Sequence, residues 1–272
     1  MFQVRSLVLA ATSLLSVSIA STSFAAGFAD AVINYSSGLG FSAGYTNAAV
    51  VLGEPSRVTP GQFGGPVEPF SAPYLSSQLV SLGTNGFLTV RFDTPILNDA
   101  SHPFGLDFNI YGNSGFTITN GDYSGGGITD GSLYGANPGQ TRVSVSADGT
   151  NFFVLNPTYA MAVDGLFPTD GSGQFEIPVA PSLTSASFNG LSLSGIRALY
   201  AGSGGGTGYD LGWAQDTNGF SVALPSVSFV RVEVLSGKSE IDGFSVVTVP
   251  EPSTWALVAA GVGLIWRARR RV

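Results

Sequence analysis

The sequence predicts an all-β fold, a single jelly-roll-like β-sandwich, on three observations. Apolar residues recur with period two in several short runs, Gly, Asn, Asp and Pro punctuate those runs, and no long stretch between residues 26 and 248 has helical periodicity. The 272 residues include 37 glycines and 15 prolines, a density of turn formers that suits many short strands. Abundant glycine would also fit disorder. Aromatic residues at 11% and charged residues at only 11% exclude that, because disordered chains are rich in charge and poor in aromatics. The stretch between the termini is long enough for one large domain with its own core.

In chain order, Met1 to Arg5 carry one positive charge and Ser6 to Ala20 are apolar or small. Ser23-Phe24-Ala25 then sets small residues where signal peptidase reads them, so residues 1–25 are expected to be a signal peptide cut between Ala25 and Ala26. Residues 26 to about 50 form a polar lead-in that can supply a first strand. The segment GEPSRVTPGQFGGPVEPFSAPYLSS, with its five prolines, reads as a long surface loop. In GFLTVRF, Phe87, Thr89 and Arg91 alternate with Leu88, Val90 and Phe92. Val143 and Val145 alternate with Ser144 and Ser146, ahead of an Asp148-Gly149 hairpin turn and Phe152-Phe153. Val230, Val232 and Val234 face one way while Arg231 and Glu233 face the other. Two irregular stretches, 120–140 and the AGSGGGTG of 201–208, complete the middle. The second reads as a flexible or tight-turn loop, since it lacks the lysine and strand-to-helix setting of a phosphate loop. There is no internal repeat.

The chain closes with VPEPSTWALVAAGVGLIWRARRRV. Its uncharged run from Trp255 to Trp266 rises about 18 Å as a helix, short of the ~30 Å hydrocarbon core. Tryptophans bracket the run, and Arg267, Arg269, Arg270 and Arg271 follow it as a basic cytoplasmic stub would. These flanks favour a short C-terminal transmembrane helix over a buried core helix.

The order Pro250-Glu251-Pro252, apolar helix, arginine cluster, in a chain with a signal peptide, resembles the PEP-CTERM sorting signal of Gram-negative bacteria. The resemblance implies that a membrane-embedded exosortase recognises residues 249–272 and cuts near Pro250-Glu251-Pro252. The protein would then pass from the inner membrane to the cell surface or matrix. Two prolines keep the segment extended, the form a protease groove accepts. A plain C-terminal anchor would share the topology without the cut. The runs VSLGTNGFLTVRFDTPILND, GLDFNIYGNSGF, VSVSADGTNFFVL, GTGYDLGWA and VRVEVLSGKSEIDGF resemble a recurrent ectodomain of PEP-CTERM and other bacterial surface proteins. That resemblance spans most of residues 50–247, implies a single domain, here expected over residues 26–248, and says little of activity.

With Arg5, the tail arginines and Glu251 set aside, the middle keeps six of the 11 basic residues and 17 of the 18 acidic ones. Such a surface repels nucleic acid and anionic lipid and suits divalent cations or neutral polymers; acidity also keeps an exported protein soluble. Absent cysteine excludes disulfides, thiol nucleophiles and thiolate metal sites. One histidine, His102, cannot assemble a zinc site, and no GxSxG elbow supports it as the base of a triad. It is expected in an exposed loop before Pro103, silent when replaced by alanine. Asp210 and Asp216 flank Trp213, which is either a sugar-stacking platform or a core residue. Asp107, Asp210, Glu240 and Asp242 stand next to apolar strand residues, where a carboxylate needs a partner. Either they converge on a calcium ion, the candidate cofactor, or Arg197, Arg231 and turn amides satisfy them.

The reading is a non-catalytic surface or matrix protein that binds extracellular polysaccharide, processed by signal peptidase and exosortase. Its rivals are a glycan hydrolase using paired carboxylates and a self-associating structural protein. The intact mass of the released protein should match a chain that starts at Ala26 and ends near Pro250-Glu251-Pro252. A mature form that stays in the membrane and still carries Arg267 to Arg271 would leave only the plain anchor.

Overall fold

The computed structural model describes residues 27–135 and 139–249. The segment expected to be a signal peptide with its cleavage site at Ala25 and Ala26, and the tail from Pro250, Glu251 and Pro252 through Arg267, Arg269, Arg270 and Arg271, lie outside the described residues. Among the described residues no helix is long and apolar enough to cross a membrane.

The alternating runs become strands that pair antiparallel. These are β1 (Ala31–Ser36), β2 (Val80–Gly83), β3 (Phe87–Leu97), β4 (Phe108–Gly112) and β5 (Gln140–Ser146). They continue as β6 (Phe153–Leu155), β7 (Thr207–Tyr209), β8 (Ala214–Gln215), β9 (Ser226–Ser236) and β10 (Lys238–Val246). One sheet has the order β1-β3-β9-β5-β6-β8, the other β7-β4-β10-β2. Cross-strand register lines up the apolar residues that alternation predicts to face inward. Leu88 lies opposite Val232 and Val232 opposite Val143, while Val90, Val230 and Val145 form the next row. Val80, Leu82, Phe108, Ile110, Tyr209, Ile241 and Phe244 meet them from the four-stranded sheet in one buried cluster. The fold is therefore an all-β sandwich. Each buried aliphatic contributes about 1.5–3 kcal/mol relative to exposure, which makes this register hard to slip.

Asp148-Gly149 turns β5 into β6 as expected. The Asp148 carboxylate accepts the amides of Thr150 and Asn151, both at 2.8 Å. Those bonds hold it well below the usual carboxylate range.

A third layer covers the outer face of the four-stranded sheet. It is built from residues 113–135 and 156–206 around a second cluster of Phe116, Phe167, Val179, Phe188, Ile196 and Tyr200. The last two come from α1 (Leu193–Tyr200), where positions i and i+4 share one face. Eight residues make only about two helical turns, too short a run for its period to stand out in the sequence. Three donors on the covered face converge on one carbonyl: Tyr111 Oη at 2.5 Å, Ser245 Oγ at 2.5 Å and Asn109 Nδ2 at 3.0 Å from Phe175 O. Within the run AGSGGGTG, Ala201 and Gly202 are exposed, residues 203–206 make a tight turn buried in this layer, and Thr207 and Gly208 begin β7. Gly205 has φ +82°, and a Cβ there would stand 2.2 Å from Pro168 O.

The five-proline segment is more than a surface loop. Phe63 is 87% exposed at its tip, yet Val67 and Ala72 are buried. Asp242 anchors it. Where β10 slips register against β4, Asp242 and Gly243 stand between inward-facing Ile241 and Phe244. Its carboxylate accepts from Ser56 N at 2.8 Å and from Ser56 Oγ at 2.7 Å. Burial raises its pKa to about 7 against the opposing effect of the Ser56 bonds. The folded state thus keeps a proton that the unfolded chain releases near pH 4, and stability falls as pH rises from about 4 to about 7. Asp242→Asn keeps an acceptor for the amide and a donor for the hydroxyl. Urea unfolding across pH should show the variant more stable than wild type at pH 8, the difference vanishing towards pH 4; parallel pH profiles would refute the buried acid.

Candidate functional site

The site grows from Asp107, just ahead of β4. Its N–H bonds Tyr209 O at 2.7 Å and its carbonyl accepts Val247 N at 2.8 Å, fixing the residue between β7 and the end of β10. The side chain is buried and fully engaged. Oδ1 accepts from His102 Nδ1 at 2.8 Å and Asp99 N at 3.2 Å, and Oδ2 accepts from Leu211 N at 2.8 Å. One carboxylate therefore joins the loop of residues 98–106 to the corner after β7.

His102 does not match its expectation. It lies in a loop, but it is 8% exposed and orders that loop through Asp107. The sequence gives only the spacing of five residues between them, which marks nothing by itself. Beyond His102 the chain makes a sharp turn, with Phe104 at φ 61° and 60% exposed.

The other arm is a 3-10 turn, Leu211–Trp213. Asp210 caps it, accepting Gly212 N at 2.6 Å. Partial burial raises the Asp210 pKa, and the negative charge of Asp107 adds to the rise. Trp213 packs one side against the core and presents the other to Tyr159, ring centroids 6.0 Å apart and planes tilted by 39°. Tyr159 is 59% exposed, and its turn is tied to the same corner by Asn156 N bonding Trp213 O at 2.8 Å. No sequence pattern signals Tyr159. Asp216 stands apart from this pair of acids in function: its Oδ1 accepts the amides of Asn218 and Phe220 and closes the turn after β8.

The four acids expected to share a cation do not converge. Asp107 and Asp210 lie together near β7. Glu240 bonds Ser42 Oγ at 2.5 Å, Asn113 Nδ2 and, at 3.2 Å, Lys238 Nζ. Asp242 belongs to Ser56. Among the described residues no group of three or more His, Cys, Asp or Glu is placed to hold a metal ion. The arginines do not serve these acids either. Arg197 pairs with Asp170 at 2.7 Å, and Arg231 bonds Thr89 Oγ1 at 2.9 Å. Amides, serine hydroxyls, an asparagine, one histidine and one lysine do the satisfying.

Residues 248–271 match the family model of the PEP-CTERM protein-sorting motif. No curated protein matches the chain. Among solved structures, a pectin binding carbohydrate binding module aligns over 64% of this chain and 73% of its own, at 9% identity and a TM-score of 0.25. A likeness that slight carries no argument about ligand.

His102→Ala should now destabilise the protein by roughly 1–3 kcal/mol, because it leaves Asp107 buried with a donor removed. Asp216→Asn, in an exposed turn, should cost less than half of that. Urea midpoints check both, and a silent His102→Ala would return the histidine to the exposed-loop reading.

Proposed function

We propose that this PEP-CTERM exosortase substrate is an exported surface or matrix protein of a Gram-negative cell whose ectodomain, residues 26–248, binds extracellular polysaccharide without turnover. Signal peptidase removes residues 1–25, the helix of residues 255–266 holds the chain transiently in the inner membrane, and exosortase releases it near Pro250-Glu251-Pro252. The orders β3-β9-β5-β6 and β2-β10-β4-β7, with most consecutive strands in opposite sheets, support jelly-roll connectivity for the sandwich.

One observation carries the binding reading: the Trp213–Tyr159 pair, held by two hydrogen-bonded turns beside the half-exposed carboxylate of Asp210. Rigid aromatic faces bury apolar area at low entropic cost and suit the C–H faces of sugar rings, while a carboxylate accepts from their hydroxyls. Hydrolysis would need two carboxylates about 5–10 Å apart that both reach the glycan. Asp107 is closed off beneath three donors, which leaves Asp210 without an accessible partner from that pair. Binding is the better account.

Soluble exopolysaccharide fragments titrated into the full chain should quench a fluorescence component that Trp213→Phe removes, separating Trp213 from Trp255 and Trp266. Trp213→Ala or Tyr159→Ala should weaken binding roughly 30-fold, the loss of an aromatic anchor, with no reducing ends released. Release of reducing ends, or glycans that bind equally well without Trp213, would refute the reading.

A further inference from the structure

The outer face of the six-stranded sheet carries an unassigned feature. Among the described residues, five of the six basic side chains have a carboxylate within 4 Å: Arg57, Arg91, Arg142, Arg197 and Lys238. Arg231 has none. In a chain with 18 acidic residues and a net charge of −7, an uncompensated guanidinium is out of keeping.

Its setting is ordered. Arg231 Nε donates to Thr89 Oγ1 at 2.9 Å, and the guanidinium carbon lies 3.9 Å from the centroid of Phe152 and 5.7 Å from that of Phe87. Both distances are within cation–π range, so the group is held flat with its far edge left for a planar partner. A guanidinium edge fits a carboxylate with two parallel N–H···O bonds, a match that a lysine lacks.

The register connects this group to the site already described. Gln215, Val154, Ser144, Arg231, Thr89 and Asn34 lie side by side across all six strands; Ser144 and Thr89 are buried beneath their neighbours, and Gln215, Val154, Arg231 and Asn34 are the members that reach solvent. Gln215 follows Trp213 by two residues. Three strand spacings, about 14 Å, separate Gln215 from Arg231, a span that a few linked sugar residues cover. We propose that this row continues the glycan surface from Trp213 and that Arg231 receives a carboxylate of the ligand, making the preferred glycan a uronate-bearing acidic polysaccharide. The inference rests on the polysaccharide reading above and adds the ligand's charge. An acidic protein repels a polyanion at long range, so contact has to be made by a positive group held ready on the face. Arg231 is that group.

Calorimetry on the full chain in detergent, with an alginate and its carboxyl-reduced form, separates the two claims. Wild type should prefer the alginate, and added salt should shrink the preference. Arg231→Gln should weaken alginate binding roughly 10- to 100-fold, the loss of a charge-assisted bond, and leave the neutral polymer nearly unaffected. Arg231→Lys keeps charge and fold and should fall between, which holds the test open if the glutamine variant is unstable. Alginate binding unchanged in both variants, but lost in Trp213→Ala, would overturn the role of Arg231 and keep the glycan site. Equal binding of both polymers by wild type would also overturn it, and no binding of either would remove both claims.

Discussion

A polar group covered by protein must find its partner in the layer that covers it, and the outer face of the four-stranded sheet is subject to that constraint along its length. Asp107, Asn109, Tyr111, Asp242 and Ser245 all project from this face, and all are buried. On a two-layer sandwich they would face water. Here the Phe175 carbonyl meets them from the covering layer, while Ser56 and the amide of Leu211 meet them from segments beside it that would otherwise be loops. The fit is close but incomplete, since Asn109 Oδ1 and Thr169 Oγ1 have no partner. The covering layer is consequently fixed by directional bonds as much as by its own apolar cluster. Arg57, stacked 4.5 Å over Phe175 and bonded to Gly171 O and Gly173 O, adds a further tie to the same loop.

The same constraint shapes the candidate site. Asp107 is unavailable to any ligand because it is fully used in holding two loops, yet that use positions the groups which are available. Leu211 N, fixed on Asp107, sets the start of the turn that ends at Trp213, and Asp210 is left half-exposed at its cap. The buried acid orders the site and the partly exposed one faces solvent. Partial burial makes Asp210 less readily ionised than a free aspartate, and the nearby charge of Asp107 adds to the effect.

Electrostatics divide the molecule differently from what net charge implies. Overall acidity predicts neutral ligands or divalent cations. Locally, the acids are consumed by amides and hydroxyls, and the basic residues are consumed by acids, with Arg231 as the exception among the described residues. Recognition follows what is left unpaired on a face, so a sum over the sequence is a poor guide to the ligand.

Much of the frame was legible in the residues themselves. Alternation in 87–92, 143–146 and 230–234 dictated which side chains enter the core, because a pleated strand turns successive side chains to opposite faces whatever surrounds it. The Asp148-Gly149 turn and the sorting tail were equally local. The fate of the polar half of each alternation was not. Whether Asp107 or Asp242 meets water, a cation or a hydroxyl depends on segments 104 and 186 residues away. Tyr159 becomes a neighbour of Trp213 only when β6 and β8 pair. His102 in a short loop looks exposed until the acid five residues on is itself buried. By itself the sequence determined strand faces, turns and address, since these follow from backbone geometry and contiguous residues. Only the tertiary structure decided which polar residues are partners and which remain for a ligand, because burial is a property of the layer laid over a face and no local pattern encodes it.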